Sequence, residues 1–101
     1  MAGKRRFHFL RAASDELDAA IEYFEREQEG LGDEFALEVE NTIERILDNP
    51  LAWQIVEEGA RRCRTHRFDY GLVYRLLSED EVEIVAVMHL KRQPGYWRGR
   101  I

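Results

Sequence analysis

Two amphipathic helices separated by a very short loop place the strongest limit on how this chain can fold. The first helix has apolar residues at the spacing i, i+3, i+4 and i+7, which form one stripe: Leu17, Ala20, Ile21 and Phe24. Ser14 is its predicted N-cap, because a serine hydroxyl can accept a hydrogen bond from the first turn. Gly30-Leu31-Gly32 is predicted to end it, since glycine readily takes the left-handed conformation that follows a helix.

The second helix follows at once, with Asp33 as its predicted N-cap. Its apolar stripe is Phe35, Val39, Ile43, Ile46 and Leu47. Asp48-Asn49-Pro50 is predicted to end it, because the residue before a proline disfavours the helical region. Since so few residues separate the two helices, they must lie antiparallel as an αα-hairpin.

The residues on either side of the hairpin are predicted to form strands. In residues 5–10, Phe7 and Phe9 alternate with Arg6 and His8, which is the period of a strand with one buried face. Three further strands are predicted over residues 61–68, 71–77 and 82–89, with a turn at residues 78–81. The last strand is apolar on both sides, which favours a central position in a sheet; Val82, Ile84, Ala86 and Met88 are predicted on one face, and Val85 and Val87 on the other.

Residues 51–60 are predicted to be a connector and residues 96–101 a tail. Trp53, Ile55 and Val56 are expected to tuck under the sheet, and Glu57-Glu58-Gly59 is expected to form a turn. The predicted fold class is therefore α+β, with an N-terminal strand and an antiparallel α-helical hairpin packed on one face of a small antiparallel β-sheet. The other face of the sheet is where basic residues are expected to gather. The length of 101 residues fits one domain, residues 1–101.

Charge divides the chain into an acidic and a basic part. Residues 1–59 carry 6 Lys and Arg against 15 Asp and Glu, a net charge of −9, and residues 60–101 carry 9 against 5, a net charge of +4. The overall charge of −5 therefore hides a basic segment, which is a cue for an anionic or polar partner.

No residue pattern here is a strong catalytic or metal-binding signature. There is no phosphate-binding glycine loop and no nucleophile elbow, and the histidines are scattered along the chain. One cysteine, Cys63, excludes an internal disulfide and a multi-cysteine metal site. We therefore expect neither a cofactor nor a metal. Because no apolar stretch approaches the ~18 residues that a membrane span needs, we expect a soluble, cytoplasmic protein.

The arginines of the second half leave two interpretations open. If residues 61–68 form a strand, Arg62, Arg64 and His66 share one face, and guanidinium groups suit phosphate oxygens. Nearby aromatic rings could then stack on unpaired bases. Alternatively, the arginines pair with the carboxylates of the helices or with an acidic segment of a partner. Net acidity argues against broad nucleic-acid affinity, which depends on neutralising many phosphates.

Taken together, the motifs resemble the RelE/ParE superfamily of toxins from bacterial type II toxin–antitoxin systems. The matching residues run over nearly the whole chain: Glu16-Leu17, Ala20, Tyr23, Leu31-Gly32, Phe35, Asn49-Pro50, Arg61-Arg62-Cys63, Arg67-Phe68, Tyr70, Val73-Tyr74-Arg75, Val87, His89, Arg92, Pro94 and Tyr96-Trp97-Arg98. Asp69 departs from the proline often found there. The resemblance implies a helical hairpin on a small sheet, and a cognate antitoxin whose C-terminal segment folds on the toxin. A homodimer or a heterotetramer with the antitoxin is the implied assembly.

The superfamily divides by mechanism. RelE-like members cut mRNA in the ribosome and need a base, cations and an acid; the resemblance places these catalytic roles on Arg64, Arg75, His89, Arg92 and Tyr96. ParE-like members bind DNA gyrase instead. Net acidity, the scarcity of lysine and the similarity of the tail, residues 93–98, to ParE-like tails favour a ParE-like gyrase inhibitor. The alternatives are a ribosome-dependent endoribonuclease and a non-toxic antitoxin-binding module. The expected partner-binding residues are Arg61, Arg62, Arg67, Arg92, Tyr96, Trp97 and Arg98.

Overall fold

The computed structural model describes residues 5–101, so residues 1–4 of the expected domain lie outside the described part. The helices are α1 (Arg11–Glu27) and α2 (Leu31–Asp48), followed by a short 3₁₀ helix (Arg98–Arg100) at the C-terminal end. The strands are β1 (Arg6–Phe9), β2 (Gln54–Ile55), β3 (Arg61–Arg64), β4 (Tyr70–Ser78) and β5 (Glu81–His89). The predicted α+β class is confirmed, because both helices pack against one five-stranded sheet.

The sheet is mixed rather than wholly antiparallel. Its strand order is β1-β5-β4-β3-β2, and the pairs from β5 to β2 are all antiparallel. β1, however, lies parallel to β5, with Phe7 opposite Val82 and Phe9 opposite Ile84. These two strands are far apart in the chain, so no hairpin turn imposes the antiparallel direction on them.

Both predicted N-caps are wrong. β1 runs directly into α1, where Leu10 is the N-cap residue and its carbonyl accepts the N–H of Ser14 at 2.9 Å. At α2, Gly30 takes the N-cap position with a φ of 87°, and Asp33 lies inside the first turn. The carboxylate of Glu25 accepts the N–H groups of Gly30 and Gly32, so a side chain of α1 does what Asp33 was expected to do. The predicted end of α2 at Asp48 is confirmed.

The apolar stripes of the two helices face the sheet, as predicted. All five stripe residues of α2 are buried, and Ala20 of α1 is buried with Leu17, Ile21 and Phe24 packed beside it. On the sheet side they meet Cys63, Leu72, Tyr74, Val82, Ile84 and Val87. Phe24 also stacks on Phe35, Phe68 and Tyr70, with ring centroids 4.9–5.9 Å apart. This helix-side core fixes the hairpin on the sheet.

A β-bulge makes the predicted faces of β5 wrong. Tyr74 lies opposite Ile84, but Val73 lies opposite Ala86, so Val85 is an extra residue on β5. Val82 and Ile84 therefore face the helices, whereas Ala86 and Met88 face the other way together with Val85. Val87 returns to the helix side.

The face of the sheet away from the helices, called the outer face below, carries a second apolar core. Its buried members are Ala60, Val73, Val85, Ala86, Met88 and Trp97. Trp97 is only 2% exposed and comes from the C-terminal tail, which crosses this face. The expectation that basic residues gather on this face therefore holds for Arg62 and Arg64 but not for the centre of the face, because apolar side chains need that surface for burial.

Three smaller expectations also differ from the structure. Ile55 does not tuck under the sheet but is 59% exposed on the unpredicted edge strand β2, although Trp53 and Val56 are half-buried. β3 ends at Arg64 instead of residue 68, because Phe68 and Asp69 take positive φ values of 79° and 53° in a tight reversal. Phe7 remains 45% exposed, since β1 is an edge strand. Within residues 5–101, no helix is long and apolar enough to cross a membrane.

Candidate partner-binding site

A groove of about 610 Å³ opens on the outer face, between the β2 edge and the C-terminal tail. Its floor is apolar and consists of Val73, Met88 and Trp97, all of them buried. Its rim carries Ile55, two arginines, Arg62 and Arg98, and the carboxylate of Glu57, which pairs with Arg98. An apolar floor with cationic rim groups suits a segment that combines apolar and acidic side chains.

Local backbone geometry builds the wall of the groove. Pro94 and Gly95 turn the chain back over the sheet, and Gly95 takes the left-handed conformation with a φ of 76°. The N–H of Arg98 then donates to the Gly95 carbonyl at 3.0 Å. The Arg98 guanidinium lies 3.3 Å from a carboxylate oxygen of Glu57, which ties the tail to the turn after β2.

A second cluster lies where α1 meets the C-terminal tail, around the carboxylate of Glu16. Glu16 Oε1 and Oε2 each accept a hydrogen bond from the Arg100 guanidinium at 2.9 Å. Oε2 also accepts the Tyr96 hydroxyl at 2.6 Å, and the Arg92 guanidinium lies 3.6 Å away. Burial opposes the ionisation of Glu16, but the hydrogen bonds from Arg100, Tyr96 and the Val87 N–H outweigh it and hold its pKa below the usual range.

Two arginine guanidinium groups lie against the ring of Tyr96. Arg92 lies over the ring at 3.9 Å from the centroid, and Arg100 lies at 5.1 Å. Burial and the hydrogen bond to Glu16 both raise the pKa of the Tyr96 hydroxyl. The hydroxyl therefore keeps its proton and donates its hydrogen bond to Glu16.

The residues expected to act in a nuclease site fall into two groups. His89 and Arg92 lie on the helix side, where they line a shallow pocket with Glu16 and Tyr70. Tyr96 packs beside the apolar core of the outer face and reaches Glu16 with its hydroxyl. Arg64 pairs with Gly71 and points to the outer face, and Arg75 lies on the same face, donating from Nε to Glu83 at 2.6 Å. The structure thus places the five residues on opposite faces of the sheet.

The residues expected to bind a partner are also spread out. Arg62, Trp97 and Arg98 line the groove. Arg61 donates to the carbonyls of Leu51 and Trp53, and Arg67 pairs with Glu34 at 3.1 Å, so both also tie structural elements together. Arg92 and Tyr96 belong to the Glu16 cluster.

Sequence reasoning missed two residues, Glu16 and Arg100, as members of a site. A signal was available for Glu16 on α1. The buried residues Ala13 and Ala20 lie three residues before it and four residues after it, so all three share one face of the helix. A carboxylate on that side of a helix needs a cation or donors beside it. Within residues 5–101, no group of three or more His, Cys, Asp or Glu side chains could hold a metal ion.

The fold and the groove define a class: a small α+β protein whose sheet carries a partly apolar groove with arginines on its rim. The sequence matches, over residues 7–94, the model of a family described as the ParE toxin of the type II toxin–antitoxin system parDE. The chain belongs to this ParE toxin family. None of the curated proteins compared with it matches significantly.

The fold itself is similar to that of a solved structure described as the chromosomal ParDE TA system from P. aeruginosa. The TM-score is 0.62 at 21% sequence identity, and the alignment covers 87% of this chain and 98% of that one. The two chains therefore share a fold, including the helical hairpin on the sheet.

Proposed function

We propose that this protein is a toxin that inhibits DNA gyrase by binding it, and that a cognate antitoxin neutralises it. Membership of the ParE toxin family is the observation that carries this proposal. We further propose that residues 1–101 act as one domain in the cytoplasm, as a homodimer or in a heterotetramer with the antitoxin.

The arrangement of charged groups favours binding over RNA cleavage. Cleavage by the 2′-hydroxyl needs a base, an acid and cations around one phosphate. Arg75 donates a hydrogen bond to Glu83, and the Tyr96 hydroxyl donates one to Glu16. Arg64 lies on the face of the sheet opposite His89. These positions support an inhibitor that acts through contacts.

The groove on the outer face supports a peptide-like partner. Its apolar floor would bury one or two apolar side chains of an antitoxin segment, and Arg62 and Arg98 would pair with acidic ones. Such a segment can be disordered alone and pay its ordering entropy on binding. We propose Arg62, Trp97 and Arg98 as groove contacts, with Arg61, Arg67, Arg92 and Tyr96 as further antitoxin or gyrase contacts.

A supercoiling assay with purified gyrase and purified protein tests the target. We expect inhibition by the wild-type protein and weaker inhibition by Arg62→Ala and Arg98→Ala. Arg26→Ala is the matched control, because Arg26 is an exposed arginine of α1 that pairs with Glu22. Supercoiling that is unaffected by a large excess of folded wild-type protein would show that gyrase is not the target.

Pulse labelling in cells separates the alternatives. Minutes after induction of this protein alone, we expect thymidine incorporation to fall before methionine incorporation. A fall of methionine first would instead favour a ribosome-dependent endoribonuclease and make Arg64, Arg75, His89, Arg92 and Tyr96 the residues to mutate. Unchanged growth would favour a module that only binds the antitoxin.

A further inference from the structure

One edge of β5 is covered by a strand for only half of its length. β1 pairs with it from Glu81 to Ile84, and the chain then leaves the sheet to begin α1. Beyond this point the backbone of β5 bonds to side chains: the Val87 N–H donates to Glu16 Oε1 at 3.0 Å, and Arg100 Nη1 donates to the Val85 carbonyl at 3.0 Å. Two side chains thus take the place of the missing strand.

These two side chains also bind each other. The Glu16 carboxylate and the Arg100 guanidinium form two parallel hydrogen bonds of 2.9 Å, and their side chains are 15% and 20% exposed. A bidentate, largely buried pair holds its geometry more firmly than a single contact between exposed side chains. We call this pair the Glu16–Arg100 clamp.

The clamp holds one side of the C-terminal segment, residues 92–101, while the other side of that segment faces the groove. Tyr96, whose hydroxyl donates to Glu16, lies between Gly95 and Trp97, both of which line the groove. Glu16 and Arg100 themselves lie outside the groove lining. The clamp therefore fixes the position of the groove wall, but neither of its residues contacts the interior of the groove.

We propose that Glu16 is a positioning residue for target binding: through Arg100 and Tyr96 it holds the C-terminal segment in the place from which that segment contacts the target. This inference rests on the proposed function, because it assumes that the groove wall meets a protein partner. Glu16 acts only through the segment that it holds, since both of its oxygens already accept hydrogen bonds within the chain.

Glu16→Gln and Arg100→Gln test the clamp in two independent ways. Glu16→Gln keeps the size of the side chain and removes the negative charge of the pair, whereas Arg100→Gln shortens the side chain and removes the positive charge. Asp15→Asn is the matched control, because it makes the same kind of change one residue away, on a side chain that is 66% exposed. Circular dichroism and thermal unfolding select variants that remain folded, and Arg100→Gln serves if Glu16→Gln does not fold.

The first measurement is limited trypsin digestion, followed by mass spectrometry of the cut after Arg98, a site that both variants keep. We expect this cut to be about tenfold faster in Glu16→Gln and Arg100→Gln, since releasing a charge-assisted pair exposes the segment. The second measurement is gyrase inhibition, for which we expect the half-inhibitory concentration to rise about tenfold. Asp15→Asn should match the wild type in both.

Two results would overturn the clamp. One is an unchanged rate of cleavage after Arg98 in the folded variants. The other is faster cleavage with unchanged inhibition, which would mean that the position of the segment does not matter for the target. If the wild-type protein itself does not inhibit gyrase, the proposed target fails separately, and the clamp is then judged by cleavage and by growth arrest. In that case, the clamp would be overturned if Glu16→Gln and Arg100→Gln were cleaved faster after Arg98 but still arrested growth fully.

Discussion

The hydroxyl of Tyr74 illustrates how one polar atom ties the connector to the sheet. Tyr74 is fully buried in β4, and its hydroxyl donates to the carbonyl of Pro50, just after α2. Burial raises the pKa of this hydroxyl, so that it is always a donor at neutral pH. Tyr74 therefore has a structural role, and its buried hydroxyl cannot contact a substrate.

Tyr74→Phe should destabilise the protein by about 1–2 kcal/mol, because it leaves the Pro50 carbonyl without its donor. Urea unfolding of the variant and the wild type measures the difference. Tyr23→Phe is the control, since Tyr23 is 51% exposed on α1 and its change should stay within ~0.5 kcal/mol. A loss for Tyr74→Phe as small as that of the control would contradict the assigned role.

Glu83 should make the stability of the protein sensitive to acid. It is 8% exposed at the side chain and accepts hydrogen bonds from Arg75 Nε at 2.6 Å and His8 Nε2 at 3.0 Å. Burial opposes its ionisation, but Arg75 and His8 outweigh burial and lower its pKa from the ordinary 4.5. A lowered pKa contributes stability above pH 4.5, and this contribution is lost as the pH falls through the folded value.

The free energy of unfolding of the wild type should therefore fall as the pH is lowered from neutral to below 4.5. Glu83→Gln should be less stable at neutral pH and should lose less on acidification, which urea titrations at several pH values measure. Glu22→Gln is the control, because Glu22 is 71% exposed. Equal pH dependence in Glu83→Gln and the wild type would rule out Glu83 as a source of the acid sensitivity.

At the scale of elements, the two helices depend on a close approach at Gly32. A Cβ atom at this position would lie 2.7 Å from the Ile21 carbonyl oxygen, which is backbone and has little room to move. The N–H of Gly32 also donates to Glu25. The prediction that Gly30-Leu31-Gly32 ends α1 is wrong, because α1 ends at Glu27 and these residues begin α2. Gly32 instead sets the distance between the helices.

Gly32→Ala should destabilise the protein by about 1–3 kcal/mol, because the helices must separate to admit the methyl group. Thermal or urea unfolding shows the change. Gly99→Ala is the matched control, since a Cβ there would meet no atom within 4 Å. Stability of Gly32→Ala equal to that of Gly99→Ala would mean that the helices are not packed as closely as described.

The strands show which element properties a linear pattern misses. The sequence correctly predicted β4 and β5 as strands, but the extra residue Val85 reversed the predicted faces of Ala86 and Met88. A bulge depends on the register with a partner strand, which one strand's sequence does not contain. For the same reason β2, two residues long and paired with Arg61 and Arg62, gave no signal of its own.

At the scale of the whole molecule, the helical hairpin and the sheet share one core, so its residues control the stability of the fold. Ile43 is 5% exposed in this core, and the ring of Phe24 packs against those of Phe35, Phe68 and Tyr70. Ile43→Ala and Phe24→Ala should each destabilise by about 2–5 kcal/mol, because each leaves a cavity. Denaturant unfolding measures both.

Leu37→Ala is the control for these two changes, because Leu37 lies on the same helix as Ile43 but is 57% exposed. We expect its effect to stay within ~0.5 kcal/mol. Losses below ~0.5 kcal/mol for Ile43→Ala would mean that the buried face of α2 has been assigned to the wrong residues.

The sequence by itself determined the two helices, four of the five strands and their order, the family resemblance and both apolar helix stripes, because periodic burial leaves its mark on neighbouring residues. Only the tertiary structure decided that β1 is parallel to β5, that Trp97 covers the outer face, and that Arg64 and His89 lie on opposite faces. Glu16 and Arg100 are 84 residues apart and meet because β1 ends before β5 does. Such a meeting depends on how distant elements pack, and no local pattern encodes it.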